Sequence, residues 1–209
     1  DYGVCYRKTI NPASPFSFHY SIGTSVTNIG PKMTYTDKKQ ARFIPTTLSV
    51  GGLINPRFSV GDNTYMGFTA SYQVSKLLVP TPPISDSTGL GVILGKDPQV
   101  PVAMGMYQSF YDAPGGFKEE MREIIHRVGF EGRINVNNIF YVASRMGGYM
   151  ENKYKGNRKY FTSGFGIGFF GFHVDGMYII PFGGRKSPLS NTFCLSAGEF
   201  CGKYFEDQF

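Results

Sequence analysis

The sequence has no tryptophan, few charged residues and no long apolar run. Charged residues make up 17% of its 209 residues, below the roughly 25% of ordinary soluble domains. No stretch approaches the ~18 consecutive apolar residues of a membrane helix. Together with 27 glycines and an aromatic content of 16%, these deficits exclude a disordered chain, a coiled coil and a helical bundle. They leave a β-protein, either soluble or in an outer membrane.

Cysteine is scarce as well. The three cysteines, Cys5, Cys194 and Cys201, are odd in number and lack a metal-binding spacing such as C-x-x-C. We therefore interpret all three as structural residues, with at most one disulfide within the chain.

What the sequence does contain is alternation with a period of two. From Phe16 to Thr27, apolar residues alternate with small or polar ones, which gives the segment one apolar and one polar face. Similar runs predict about nine strands. They cover residues 1–8, 15–29, 44–54, 63–77, 122–134, 138–150, 159–170, 172–180 and 191–201.

Strand length and connection length favour a membrane barrel over a soluble sandwich. Many of the predicted strands reach the ~9–11 residues needed to cross a bilayer at a tilt. The short connections are 9–14, 55–62, 135–137 and 171, and they alternate with mostly longer ones at 30–43, 78–121, 151–158 and 181–190. Outer-membrane barrels have short periplasmic turns and long outer loops, whereas a sandwich has no reason to keep this alternation.

Charged residues follow the same alternation. Four of them fall on the face opposite the apolar stripe, namely Arg127, Glu131, Arg133 and Arg145. An arginine on a lipid face costs ~2–4 kcal/mol at the membrane midplane, so this placement favours a barrel with a polar lumen.

The number of strands indicates that the barrel is larger than this chain. If the last strand ends in the periplasm, the first one also runs inward, and the chain then has an odd number of strands. Bacterial barrels have an even number. We therefore expect residues 1–209 to form the carboxyl-terminal portion of a single outer-membrane barrel.

Several segments resemble the PorV family, also called LptO, the outer-membrane proteins of the type IX secretion system in Bacteroidetes. The resemblance runs in order over nearly the whole chain. The segments are SVTNIGPKMTYTDKKQARFIPTTLSVG (25–51), SKLLVPTPP (75–83), SFYDAPGGFKEE (109–120), ENKYKGNRKYFTSGFGIGF (151–169) and VDGMYIIPFGGRKSPLSNT (174–192). Cys194, Glu199 and the segment 131–135 depart from the family pattern.

The resemblance implies an all-β fold, a transmembrane antiparallel barrel similar to the fatty-acid transporter FadL. Such a barrel has about fourteen strands, of which this chain would supply roughly the last nine. The implied protein is integral to the bacterial outer membrane, non-enzymatic and without a cofactor. It binds the carboxyl-terminal signal domain of secreted cargo at a giant translocon barrel. It then shuttles the cargo to a surface attachment complex with its signal peptidase, which links cargo to lipopolysaccharide.

The segment 78–121 is the longest predicted connection and is expected to be extracellular. It is rich in proline at its start, which fixes backbone angles and lowers the entropy lost on docking. We expect it to contact cargo or the translocon through Leu78, Val79, Pro80, Pro82, Tyr111 and Phe117. The alternative is a plug or lid that packs over the barrel mouth.

Basic residues concentrate in two other predicted outer loops. We expect them to face the phosphates of lipopolysaccharide, which are natural partners of Lys and Arg; the alternative is a solvated loop. The residues are Lys153, Lys155, Arg158, Lys159, Arg185 and Lys186. Nucleic acid is not expected as a partner, because these residues sit on loop tips without a recognition motif.

Two other functions remain open from the sequence. One is a FadL-like channel for hydrophobic small molecules. The other is an outer-membrane lipid hydrolase, because Ser17 and His19 share a strand face, as do His173 and Asp175. No nucleophile elbow accompanies either pair and no further metal ligands follow His173 at a recognisable spacing. We interpret these residues as polar groups of the lumen.

A glycine alternation at Gly164, Gly166 and Gly168 resembles a nucleotide loop only superficially. It lies within a predicted strand and offers no helix amino end to a phosphate. We expect these glycines to leave room in the lumen or to allow sharp strand curvature.

Overall fold

The computed structural model describes residues 1–12, 14–34, 41–86, 91–137, 139–182 and 192–199. Eleven strands are present in these residues: β1 (Tyr2–Ile10), β2 (Phe16–Thr27), β3 (Thr47–Gly61), β4 (Thr64–Leu77), β5 (Ile84–Ser85), β6 (Val92–Leu94), β7 (Ile125–Val136), β8 (Phe140–Met150), β9 (Lys159–Phe169), β10 (Phe172–Pro181) and β11 (Phe193–Glu199). Between β6 and β7 lie α1 (Val102–Gln108), α2 (Phe117–Glu120) and a 3₁₀ turn (Met121–Glu123). In the described part of the chain, no helix combines the length and apolarity needed to cross a membrane.

Nine of the strands form one antiparallel sheet. Its order is β1-β2-β3-β4-β7-β8-β9-β10-β11, and β5 and β6 form a separate hairpin. The all-β prediction is thereby confirmed, and each of the nine predicted strands is present. Within the described residues, β1 and β11 are the two edges and do not pair with each other, so the sheet is not closed.

One face of the sheet is apolar and exposed across its whole width. The ladders are in register, so that Phe130 of β7 lies between Ala70 of β4 and Met146 of β8. Large apolar side chains on this face are exposed on every strand, as Phe68, Phe130 and Leu195 illustrate. A continuous apolar surface of this extent marks contact with lipid or with another protein.

The four charged residues that the alternation places opposite the apolar stripe, Arg127, Glu131, Arg133 and Arg145, lie on the other face. Arg145 Nε donates to Glu131 Oε2 at 2.6 Å, and Arg133 Nε lies 3.1 Å from Glu131 Oε1. Arg145 also pairs with Asp175 of β10. The ion pairs thus extend over the four neighbouring strands β7 to β10, and the pair of Arg145 with Asp175 passes over the glycine-rich strand β9.

The connections alternate in length, as expected. At one end the strands are joined by tight turns such as Asp62-Asn63 and Phe170-Gly171. Asn63, Phe170 and Gly171 have positive φ angles of 55°, 48° and 85°, which two-residue hairpins require because their turn must match the strand twist. At the other end lie the long connections 28–46, 78–124 and 151–158.

The predicted bounds of β3 were wrong. The sequence analysis ended this strand at residue 54 and placed a connection at 55–62, whereas the strand continues to Gly61. Pro56 suggests a break because proline cannot donate to a ladder. In the structure Pro56 pairs with Phe18 of β2, and the β3–β4 ladder continues on both sides of it, at Ile54–Ala70 and Arg57–Gly67.

The glycines of β9 make room for side chains of the neighbouring strands, which confirms one of the two expectations for them. A Cβ atom on Gly168 would lie 2.0 Å from Cε1 of Tyr141, whose side chain is buried. A Cβ atom on Gly166 would lie 2.5 Å from Oδ1 of Asp175. The ring of Tyr141 and the ion pair of Arg145 therefore occupy the space above this strand.

Replacing Gly168 by alanine should destabilise the sheet. The added methyl group meets the ring of Tyr141, and overpacking of this kind costs about 1–3 kcal/mol. Thermal unfolding of the purified protein, followed by its heat-dependent migration in gels, measures the loss. Gly132→Ala is the matched control, because its Cβ would meet Phe68 at an ordinary 3.7 Å. Equal transitions for the two variants would contradict the packing explanation.

Candidate functional site

The connection between β4 and β7, residues 78–124, has its own internal structure. It contains the hairpin β5–β6, the helices α1 and α2 and the 3₁₀ turn. The expected bounds of 78–121 are therefore extended by three residues. Backbone hydrogen bonds attach its start to the preceding connection, since Leu78 N donates to Thr46 O at 2.8 Å.

A buried acidic residue holds this connection together. The side chain of Glu123 is 13% exposed and accepts three hydrogen bonds. Lys76 Nζ donates to it at 2.5 Å, Thr81 Oγ1 at 2.7 Å and Lys155 Nζ at 2.8 Å. These donors come from the end of β4, from the start of the connection and from the neighbouring loop, so Glu123 joins three segments.

Two neighbouring glutamates complete the cluster. Glu120 accepts a hydrogen bond from Lys76 Nζ at 2.8 Å and from the backbone N–H of Ala113 at 2.7 Å. Glu119 pairs with Lys155 at 2.7 Å and accepts from the backbone N–H of Gly115. We call Lys76, Glu119, Glu120, Glu123 and Lys155 the loop ion cluster.

The contacts of the cluster determine the charge states of its members. Burial raises the pKa of Glu123, but hydrogen bonds from Lys155, Lys76 and Thr81 outweigh it and hold that pKa below its ordinary value. The hydrogen bond from Lys155 likewise lowers the pKa of Glu119. Burial lowers the pKa of Lys155, but its hydrogen bonds to Glu119 and Glu123 outweigh it and raise that pKa. Glu119, Glu123 and Lys155 are therefore ionised at neutral pH.

Asp112 differs from Glu119 and Glu123 in that its pKa is raised. It is 1% exposed, and its Oδ2 accepts a hydrogen bond from the backbone N–H of Thr81 at 3.0 Å. Burial raises its pKa, and the negative charges of Glu120 and Glu123 add to that effect. Asp112 thus ties the start of the connection to its middle at some electrostatic cost.

Above this polar frame the connection exposes a set of large apolar side chains. Phe117 is 79% exposed and Tyr107 is 65% exposed. The rings of Tyr107 and Tyr111 meet edge to face, with centroids 5.3 Å apart. We call the whole set the exposed loop surface. It comprises Met104, Tyr107, Phe110, Tyr111, Phe117 and Met121.

Part of the exposed loop surface overhangs the apolar face of the sheet. Phe110, Phe117 and Met121 line a cleft of about 260 Å³ together with Leu48, Val50 and Val74 of β3 and β4. The exposed loop surface is therefore continuous with the apolar face at the long-connection end.

The six residues predicted to contact cargo or the translocon differ in their exposure to solvent. Leu78 and Pro80 are buried, and Val79 is half-buried. Pro82, Tyr111 and Phe117 are exposed, with Lys96 Nζ lying 3.7 Å from the ring centroid of Tyr111. The buried residues Leu78 and Pro80 pack inside the connection. A contact of any of the six residues with cargo or translocon stays a prediction.

The sequence analysis did not identify Met104, Tyr107, Phe110 and Met121. Met104 and Tyr107 lie three residues apart on α1, a spacing that puts side chains on one side of a helix, and Phe110 follows at the same spacing just beyond the helix. That signal was present in the sequence, but the short helix carrying it was not predicted.

The predicted lipopolysaccharide-facing residues have several environments. Lys153 is exposed, whereas Lys155 belongs to the loop ion cluster. Arg158 is exposed but pairs with the buried Glu151, at 2.9 Å from Nε to Oε2, and Lys159 is half-buried at the start of β9. Arg185 and Lys186 lie outside the described residues, and none of these contacts tests lipopolysaccharide binding.

The loop 151–158 also touches the connection 78–124 directly. Besides the ion pairs of Lys155, the guanidinium carbon of Arg122 lies 4.9 Å from the ring centroid of Tyr154. Burial raises the pKa of Glu151, but hydrogen bonds from Arg158 and Tyr149 outweigh it and lower that pKa. The loop is therefore folded around a charged glutamate and attached to its neighbour.

The residues considered for hydrolysis are held apart by the sheet. Ser17 Oγ and His19 Nε2 are 3.4 Å apart, and the other ring nitrogen of His19 contacts Thr9 Oγ1 at 2.8 Å. His173 and Asp175, 3.8 Å apart, lie on β10, with five strands between them and β2. Among the described residues, no group of three or more His, Cys, Asp or Glu is placed to hold a metal ion.

Fold and site together define a class of protein. It is an all-β chain whose antiparallel sheet has one apolar face, tight turns at one end and long, structured connections at the other, a combination typical of bacterial outer-membrane barrels. The family model described as type IX secretion system protein PorV matches residues 3–84. The match supports the resemblance of this chain to the PorV family. No curated protein matches the chain.

The family match covers β1 to β4 and the start of the connection that follows. The matched family is described as a component of the type IX secretion system. The exposed loop surface and most of the loop ion cluster lie outside the matched residues.

Replacing Glu123 by glutamine should loosen the connection 78–124. Lys76 and Lys155 would then lose a carboxylate in a largely buried setting, which costs about 1–3 kcal/mol. Limited proteolysis of the folded protein should cut within 78–124 faster in this variant. Lys118→Gln is the control, because Lys118 is exposed on the same helix as Glu119 and Glu120. Unchanged cleavage in the Glu123 variant would show that Glu123 does not hold the connection 78–124 in place.

The connection should also loosen in acid. Because the pKa values of Glu119, Glu123 and Glu151 are lower in the folded protein than their ordinary value of 4.5, their stabilising effect is present above that value and is lost as the pH falls through the folded values. Asp112 opposes this trend, because its raised pKa makes protonation favourable. We expect the three glutamates to outweigh it.

Hydroxyl-radical footprinting of the buried Leu78 can follow this change between neutral pH and about pH 3. Labelling of Leu78 should rise as the pH falls, while Tyr141 on the sheet stays protected. Constant labelling of Leu78 over that range would show that the cluster does not hold the connection.

Proposed function

We propose that this protein is a component of the type IX secretion system and that it binds the carboxyl-terminal signal domain of secreted cargo at the giant translocon barrel. It then delivers the cargo to the surface attachment complex with its signal peptidase. The observation that supports the proposal is the exposed loop surface. This surface is apolar and aromatic, and the loop ion cluster holds its segments together.

In this proposal the chain is the carboxyl-terminal part of an outer-membrane barrel of about fourteen strands. The apolar face of the sheet contacts lipid, and the polar face with its ion pairs lines the lumen. The tight turns lie in the periplasm, and the connection 78–124 lies outside the cell. An arginine on a lipid face costs ~2–4 kcal/mol at the midplane, which supports this assignment of the two faces.

The chemistry of the exposed loop surface suits a protein partner. Aromatic residues and methionine are enriched in the cores of protein interfaces, and tyrosine is enriched among the residues that dominate binding energy. A surface that is already ordered loses less conformational entropy when a partner docks. The loop ion cluster supplies that order, because it joins the connection to β4 and to the loop 151–158.

The basic residues of the loop 151–158 have a separate place in the proposal. Lys153 is exposed and Arg158 has an exposed side chain, so both can approach the phosphates of lipopolysaccharide. Charge-assisted hydrogen bonds to phosphate are stronger than neutral ones. Lys155 acts within the loop ion cluster instead.

The protein acts without catalysis in this proposal. The Ser17–His19 contact has a threonine where a hydrolytic triad has a carboxylate, and the triad needs that carboxylate to orient its histidine. A shuttle therefore accounts for the site better than a hydrolase.

Substitution of the exposed loop surface should weaken capture of partners. We expect Tyr107→Ser and Phe117→Ser each to reduce recovery of a giant barrel, or of secreted proteins that still carry their signal domains, by about tenfold. The measurement is a gentle-detergent pull-down of the native protein from outer membranes, followed by mass spectrometry. Phe170→Ser is the matched control, because Phe170 is an exposed phenylalanine at the tight-turn end.

The heat-dependent gel migration of each variant shows that its barrel is intact. Equal recovery of partners by all variants would refute the role of the exposed loop surface. Recovery of lipid alone with an otherwise solitary wild-type barrel would refute the shuttle and favour a channel for hydrophobic small molecules.

A further inference from the structure

The polar face of the sheet contains a cavity that the proposed function does not use. It has a volume of about 420 Å³ and lies toward the tight-turn end, across β1, β2, β3, β4 and β7. Its polar lining includes Arg7, His19, Asn55, Arg57, Arg133 and Asn135. The exposed loop surface belongs to the opposite end of the strands.

The lining of this cavity is strongly cationic. It includes the side chains of Arg7, Arg57 and Arg133. Glu131 is the single carboxylate among the described residues that line it, and it already accepts a hydrogen bond from Arg145 at 2.6 Å. The cavity therefore has an excess of positive charge, which an anion would balance.

Asn135 provides an independent indication of a ligand. It is 1% exposed, yet neither its Oδ1 nor its Nδ2 has a hydrogen-bond partner among the described residues. A buried polar group left without a hydrogen-bond partner destabilises the folded protein. Since an amide has both donors and an acceptor, its partner should accept one hydrogen bond and donate another.

The surrounding side chains keep this arrangement in place. Arg57 Nε donates to Asn55 Oδ1 at 2.8 Å, and Asn55 Nδ2 donates to Thr69 Oγ1 at 2.5 Å. The guanidinium carbon of Arg133 lies 4.7 Å from the ring centroid of Tyr141. Asn55 therefore orients Arg57, whereas Arg133 is held between the ring of Tyr141 and Glu131, whose Oε1 lies 3.1 Å from Arg133 Nε.

We propose that this cavity binds a phosphate group. Phosphate oxygens accept charge-assisted hydrogen bonds from the guanidinium groups of Arg57 and Arg133, which suit its geometry. At neutral pH a phosphate with a remaining hydroxyl group can donate to Asn135 Oδ1 while another oxygen accepts from Nδ2. The group can belong to free phosphate or to a lipid headgroup.

The test is calorimetric titration of the full-length protein in detergent with inorganic phosphate at constant ionic strength. We expect wild-type protein to bind phosphate and to bind sulfate, which has no hydroxyl group at this pH, more weakly. Arg133→Gln and Asn135→Asp should each weaken phosphate binding by about tenfold or more. Asn135→Asp preserves the shape of the side chain and adds a repelling charge.

Arg127→Gln is the matched control. Arg127 also lies on the polar face of β7, but it donates to Ser75 and lies against Tyr149, away from the cavity lining. It should leave phosphate binding unchanged. If Arg133→Gln does not fold, Asn135→Asp alone gives the comparison, because all the cationic groups remain.

A second titration with a short-chain phosphatidic acid identifies the source of the phosphate. Binding of inorganic phosphate that depends on Asn135 supports a site for the free anion. Binding of the lipid alone, with the same dependence, supports a site for a lipid headgroup. Absence of binding of both probes to the wild-type protein, or equal losses in the Arg127 and Arg133 variants, would overturn the proposal. None of these outcomes depends on capture of cargo.

Discussion

The register of the antiparallel ladders is the constraint on which the rest of the structure depends. Side chains alternate between the two faces of a strand, so a slip by one residue would exchange those faces. The ladder from β1 to β11 keeps its register across the neighbouring pairs, with one shift between Ser59 and Gly61 at the end of β3. For this reason the ion pairs of Arg145, the glycines of β9 and the cationic cavity all lie on one side, and the apolar residues lie on the other.

The connection 78–124 is held in place by residues of the strands. Lys76 is at the end of β4, where its ammonium group leaves the apolar face and meets Glu120 and Glu123. Two carboxylates contact this one cation, and Lys155 pairs with Glu123 and with Glu119, so the five residues have one more carboxylate than ammonium group. The loop ion cluster is inside the connection and the exposed loop surface is outside, which is the reverse of an ordinary soluble loop and is typical of a surface made for contact.

Local patterns made most of the sheet predictable from sequence. Period-two alternation and turn residues act over a few positions, so eight of the nine long strands were predicted with small errors in their bounds. Pro56 misled the prediction for β3, because its tolerance depends on how β2 and β4 pair around it. The loop ion cluster was not predictable, since Lys76, Glu123 and Lys155 meet only after the chain folds back. For the same reason the burial of Leu78 and Pro80 was missed.

The attachment of the loop 151–158 to the connection 78–124 has a mechanical consequence. Two contacts join them, from Lys155 to the glutamates and from Arg122 to the ring of Tyr154. A load applied to Phe117 by a docked protein would be shared with the hairpin of β8 and β9, and so with a second pair of strands. The two connections are thus mechanically coupled, so that a partner that displaces one of them would also displace the other.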